Sequence, residues 1–102
     1  MKINGLNVDT RKIAEGLYDL IEQKGEAGIV AFGMIPKWIV DLLEKLLREK
    51  IISESARQVG ISADELSPVV DQDKVKQMVS EISRAICIDI YAVAGERGKM
   101  LV

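Results

Sequence analysis

The sequence predicts an all-α protein, a small bundle of about four to five helices in a single domain spanning residues 1–102. Three observations predict it. Apolar side chains recur at three- and four-residue steps through most of the chain, capping residues and glycines bracket those stretches, and the composition is 48% hydrophobic and 29% charged. That balance is typical of a folded globular chain and far from the highly charged, weakly apolar regime of disorder. A length of 102 residues suits one core and is too short for two.

The first helix is expected from about residue 10 to 24. Asp9 or Thr10 can cap it, Ile13, Leu17, Leu20 and Ile21 share a face, and Gly25 supplies a left-handed stop. The following segment, residues 26–35, is small and apolar, so periodicity leaves a short buried strand and an irregular or helical turn near residues 28–35 equally open. In either form it reads as core. Pro36 suits a helix start, and Ile39, Leu42, Leu43, Leu46 and Leu47 form a broad apolar stripe after it. Asp41 with Lys45 and Glu44 with Arg48 are acid-before-base pairs four apart, worth about 0.2–0.5 kcal/mol each.

Beyond Ile52, Ser53 can cap a separate short helix closed by Gly60, and Ser62 with Glu65 forms a capping box for another, ended by Ser67-Pro68. The last helix is expected from about 73 to 94. It places Val75, Met78, Val79, Ile82, Ile86, Ile90 and Val93 on one face, with Gly95 beyond its end. A competing reading makes residues 86–93 a strand that turns at Gly95–Gly98 into a C-terminal β-hairpin, because that stretch is rich in strand formers. The helical phase running unbroken from Val75 favours the helix.

The residue inventory excludes more than it suggests. There is no histidine, which removes the side chain best suited to proton transfer near neutral pH and the commonest metal ligand. The lone Cys87 allows no intrachain disulfide, and with no histidine to act as its base it reads as a packing residue in a reducing, cytoplasmic setting. No metal or cofactor is expected. The carboxylate pairs Asp64 with Glu65 and Asp71 with Asp73 fall where helices begin, and negative charge is favourable there in itself. Gly25, Gly28 and Gly33 lack the spacing and lysine of a phosphate loop. The N-terminal stretch has charges where a secretory signal needs an apolar core, and the apolar run at residues 27–36 is far short of the roughly 20 residues that cross a bilayer. No membrane association is expected.

Residues 53–69 carry Ala56, Gly60, Ile61-Ser62, Leu66 and Val69 at the positions where a helix-turn-helix wants a small residue, a turn glycine, a cap and two core residues. The segment resembles the helix-turn-helix pattern of bacterial DNA-binding proteins. That resemblance implies a second helix in the major groove, with Arg57, Gln58, Ser62 and Ala63 as the contacts to nucleic acid. Charge opposes it. Asp64 and Glu65 would lie beside phosphates, and the whole chain has a net charge of −2.

The last helix supplies the positive functional expectation. Ile88 and Tyr91 fall off its main stripe, so its second half is apolar on more than one side, as expected where one face meets the core and another meets a partner. The expected function is therefore a protein-interaction module, an assembly or regulatory accessory acting as a homodimer, with Ile86, Ile88, Ile90, Tyr91 and Val93 at its interface. A DNA-binding regulator is the alternative. A small-ligand domain or enzyme is third, with the methionines, Phe32 and Trp38 available to line a pocket or a groove for a partner helix.

Overall fold

The computed structural model describes residues 2–3, 6–66 and 72–100, and within them the fold is all-α. A two-residue antiparallel ladder, β1 (Lys2–Ile3) with β2 (Leu6–Asn7), precedes five helices. These are α1 (Thr10–Gln23), α2 (Ala27–Ala31), α3 (Lys37–Val59), α4 (Ala63–Leu66) and α5 (Gln72–Met100). Helix α5 is the spine: α1 and α2 lie against it, and α3 packs along it. The molecule is elongated, 51 × 22 × 20 Å.

Local chemistry accounts for the helix ends. Asp9 is the N-cap of α1 and accepts the Lys12 amide at 3.0 Å. Thr10 is released for another task, donating its hydroxyl to the Asp89 carboxylate of α5 at 2.7 Å. Gly25 takes φ 71° just past α1, and the Glu26 amide returns to the Ile21 carbonyl. Gly60 closes α3 in the same way at φ 77°, with the Ile61 amide bonded back to Ala56. At both sites a Cβ would be strained, which is why glycine stands there. Ser62 caps α4 through the Glu65 amide.

The structure corrects three expectations. Ser53 does not start a new helix. Ile39, Leu43, Leu47, Ile51 and Ala56 keep one buried phase along α3, and Ser53 faces solvent. With neither glycine nor proline in between, continuing the helix keeps every backbone bond, whereas a cap would break several. Gly95 does not end α5, which continues to Met100. Glycine costs only about 1 kcal/mol within a helix, and its neighbours tie this stretch to α1, Glu96 to Arg11 and Arg97 to Asp19 and Glu22. The helix favoured over a C-terminal β-hairpin is the one observed.

Residues 28–35 contain no strand. They form α2 and a turn at Gly33, φ 90°, and they are only partly core: Val30 is buried, while Ile29, Phe32 and Met34 face solvent. A five-residue helix can turn only one side inward. The N-terminal ladder was not expected from helical periodicity, although Asn4-Gly5 between two short apolar-containing stretches is the usual dipeptide signal for a hairpin. The expected helix end at Ser67-Pro68 lies outside the described residues.

The seven apolar residues expected on the inner face of α5 are all buried there: Val75, Met78, Val79, Ile82, Ile86, Ile90 and Val93. They form one continuous core with Val8, Ala14, Leu17, Tyr18 and Ile21 toward one end and Ile39, Leu43, Leu47 and Ile51 toward the other. Ile86 and Ile90 are buried and Ile88 between them is exposed, an arrangement helical phase gives and strand alternation forbids.

Ile82→Ala should lower unfolding free energy by about 2–5 kcal/mol in urea denaturation, because it leaves a cavity in a fully buried site. Gly16→Ala should raise it by about 0.5–1 kcal/mol, since Gly16 is an exposed position inside α1 with open space where a Cβ would stand.

Candidate functional site

Three regions carry residues that the sequence points to: the outer face of α5 with α2, the α3–α4 corner, and the groove between α3 and α5. The first is an apolar surface. Phe32 leaves 90% of its area exposed, Met34 and Ile88 64% each, and Tyr91 38%. Their placement follows from the local backbone. Ile29 and Phe32 are one turn apart on α2, and the Met34 amide folds back onto the Ile29 carbonyl at 3.2 Å. Tyr91 joins this corner to α5 by donating its hydroxyl to the Gly33 carbonyl at 2.8 Å. Ile88, three residues before Tyr91, extends the same face along α5.

Beside these side chains is a cleft of about 540 Å³ between α2 and α5, lined by Gly28, Ala31, Tyr91, Ala94, Gly95 and Gly98 among others. Small residues on both walls leave it open, and of the two tyrosines that line it Tyr91 already spends its hydroxyl on the Gly33 carbonyl. Tyr18 closes one edge, with the Arg97 guanidinium over its ring at 5.0 Å from the centroid. Arg97 is in turn held by Asp19 at 2.6 Å and by Glu22. The corner itself is braced from α3: the Trp38 indole donates to Glu26 at 2.6 Å, and Lys24 lies over the same ring at 5.5 Å.

The five residues expected at an interface therefore separate. Ile86, Ile90 and Val93 belong to the core of this chain, with relative exposures of 0%, 0% and 1%, whereas Ile88 and Tyr91 stand at the surface. A charge placed at Ile90 would test folding and not association. Phe32, Met34 and Ile29 join the surface pair, and sequence reasoning had assigned their segment to the core. The available signal was its length: between Gly25 and Gly33 there is room for a single helical turn and a half, too little to bury apolar residues on all sides.

At the α3–α4 corner, Arg57, Gln58, Ser62 and Ala63 are all exposed. Arg57 is paired with Glu54 at 2.8 Å, and the Ser62 hydroxyl is taken by its capping bond. Among the described residues helix α4 comprises Ala63–Leu66, carries Asp64 and Glu65 in its first turn, and buries none of its side chains. Two carboxylates there oppose the phosphate contacts that a recognition helix makes.

The α3–α5 groove includes a cleft of about 400 Å³ lined by Glu44, Lys76, Ser83, Arg84 and Cys87. Charges of both signs alternate along it. Burial pushes the Cys87 thiol above its ordinary range, an effect partly opposed by its hydrogen bond with Ser83. The thiolate is thus disfavoured where a nucleophile or redox thiol would need it. Among the described residues no group of acidic or cysteine side chains could hold a metal ion, and no helix is long and apolar enough to cross a membrane.

No family model, curated protein or solved structure matches the chain.

The raised thiol makes a direct prediction. Alkylation of Cys87 by iodoacetamide in the folded protein should be slow at neutral pH and should accelerate at a higher pH than in the urea-unfolded chain. Equal pH midpoints in the two states would contradict the burial of this thiol.

Proposed function

We propose that this chain is a cytoplasmic protein-interaction module, an assembly or regulatory accessory that acts as a homodimer through the apolar face of α2 and the second half of α5. One observation carries the reading: Phe32 is almost wholly bare, and its neighbour Gly33 accepts the hydroxyl of Tyr91, which with Ile88 one turn earlier brings two more exposed apolar residues of α5 to the same corner. Single exposed apolar residues are ordinary, but a contiguous cluster of large ones marks a surface that another molecule covers.

Size and charge favour a second copy of the chain as that molecule. Ile29, Phe32, Met34, Ile88 and Tyr91 together expose on the order of 500 Å², from side chains of roughly 150–250 Å² each. With the cleft walls and a polar rim, the face approaches the roughly 800 Å² that each partner contributes to a standard interface. Arg97 beside the cleft is already engaged inside the chain by Asp19 and Glu22, one base against two acids for a net of −1, so it is not a free cation that would select an acidic partner. A two-fold pairing sets the same patch against itself, which suits a surface of this kind.

Light scattering should give an apparent mass near twice the chain's 11.3 kDa at tens of micromolar. Ile88→Glu should return it to the monomer mass with the far-ultraviolet dichroism unchanged, because Ile88 is exposed and contributes little to the core. A protein that remains monomeric at high micromolar concentration would sink the homodimer.

A further inference from the structure

The apolar face carries both a projection and a hollow. Phe32 follows directly on α2 and projects into solvent, and the cleft of about 540 Å³ between α2 and α5 adjoins it. The hollow exists because its walls are glycine and alanine: at Gly28, Gly95 and Gly98 nothing lies within 4 Å of where a Cβ would be. Phe32 cannot fill the cleft from its own position. Its backbone is fixed at the end of α2 by bonds from its amide to the Gly28 and Ile29 carbonyls, and its ring remains 90% exposed.

From this juxtaposition we infer that in the homodimer each Phe32 ring inserts into the partner copy's cleft, between Gly28 and Ala31 on one wall and Ala94, Gly95 and Gly98 on the other. The inference rests on the homodimer reading and adds to it the anchor and its socket. A two-fold axis makes the exchange reciprocal, so a single contact type is made twice and both projections and both hollows are used. An aromatic anchor in a small-residue pocket near the centre of a patch is the arrangement that dominates interface energetics, with flatter contacts such as Ile88 and Met34 excluding water around it. Arg97 over Tyr18 closes the edge of the socket with its charge neutralised, so insertion leaves no unpaired ion behind.

Three variants and one cross-link test it in the full chain. Phe32→Ala, which touches no core contact, should weaken dimerisation at least tenfold in sedimentation equilibrium, the effect of removing two anchors, one from each copy, that together contribute more than about 1.4 kcal/mol. Gly95→Leu should do the same by filling the socket, while leaving the fold intact because the space there is open. Gly16→Leu, placed on an exposed helical site away from the cleft, should leave the dimer unchanged. With benzoylphenylalanine at position 32 of one copy and an isotopically labelled second copy, irradiation should join position 32 to the labelled segments 27–31 or 94–98. A dimer that survives Phe32→Ala and cross-links elsewhere overturns the insertion and leaves the homodimer standing. A chain that never dimerises overturns both.

Discussion

Every other feature of this protein depends on the burial of one side of α5. Its inner residues from Val75 to Val93 recur at steps of three and four, and both α1 and α3 pack against that stripe. The two divide it: α3 takes the N-terminal part with Ile39, Leu43 and Leu47, and α1 takes the C-terminal part with Ala14, Leu17 and Ile21. The shared stripe runs along the 29 residues of α5, roughly 43 Å of helix at about 1.5 Å per residue, and so accounts for the elongated 51 × 22 × 20 Å shape. It also explains why isolated pieces have little reason to be stable. Each peripheral helix meets its apolar partner on α5, so folding must gather residues separated by most of the chain.

The polar contacts refine that arrangement and do not drive it. Thr10 with Asp89, Arg11 with Glu96 and Arg97 with Asp19 and Glu22 all tie α1 to the second half of α5. The ion pairs are largely solvent-exposed, so they are screened by salt and add modestly to stability. Their value lies in register. They hold α1 against the part of α5 where two glycines would otherwise weaken the helix, and they fix Tyr91 where its hydroxyl reaches Gly33. Through that bond the position of α2, and with it the exposed Phe32, becomes a consequence of how α1 and α5 pack.

The same dependence bears on function. The surface that favours association is assembled from two segments almost sixty residues apart, and neither would be notable without the other. Ile88 alone is an isolated exposed isoleucine, and Phe32 alone is an aromatic in a glycine-flanked turn. Together with the cleft they make a face that carries both a projection and a hollow. Elsewhere among the described residues, the Cys87 thiol is half-buried beside Ser83, and the clefts along α3 and α5 are lined by charges of both signs.

The amino-acid sequence by itself determined most of the helical segments and the inner face of α5, whereas Leu20 and Leu46, read onto the apolar stripes of α1 and α3, are exposed. All seven residues read as the stripe of α5 are in the core, Asp9 and Ser62 cap where they were expected to, and Gly25 and Gly60 adopt the left-handed turns that end α1 and α3. Those features are local, set by side-chain periodicity and by the steric freedom of single residues. Only the tertiary structure decided where α3 and α5 end, because Ser53 and Gly95 are weak local stops that lose to continuous packing on one side and to ties with α1 on the other. Tertiary structure also decided which apolar residues are spare. A periodic pattern shows that a residue is apolar, but whether Ile90 is core and Phe32 is surface depends on which neighbour arrives to cover it, and that neighbour comes from a distant part of the chain.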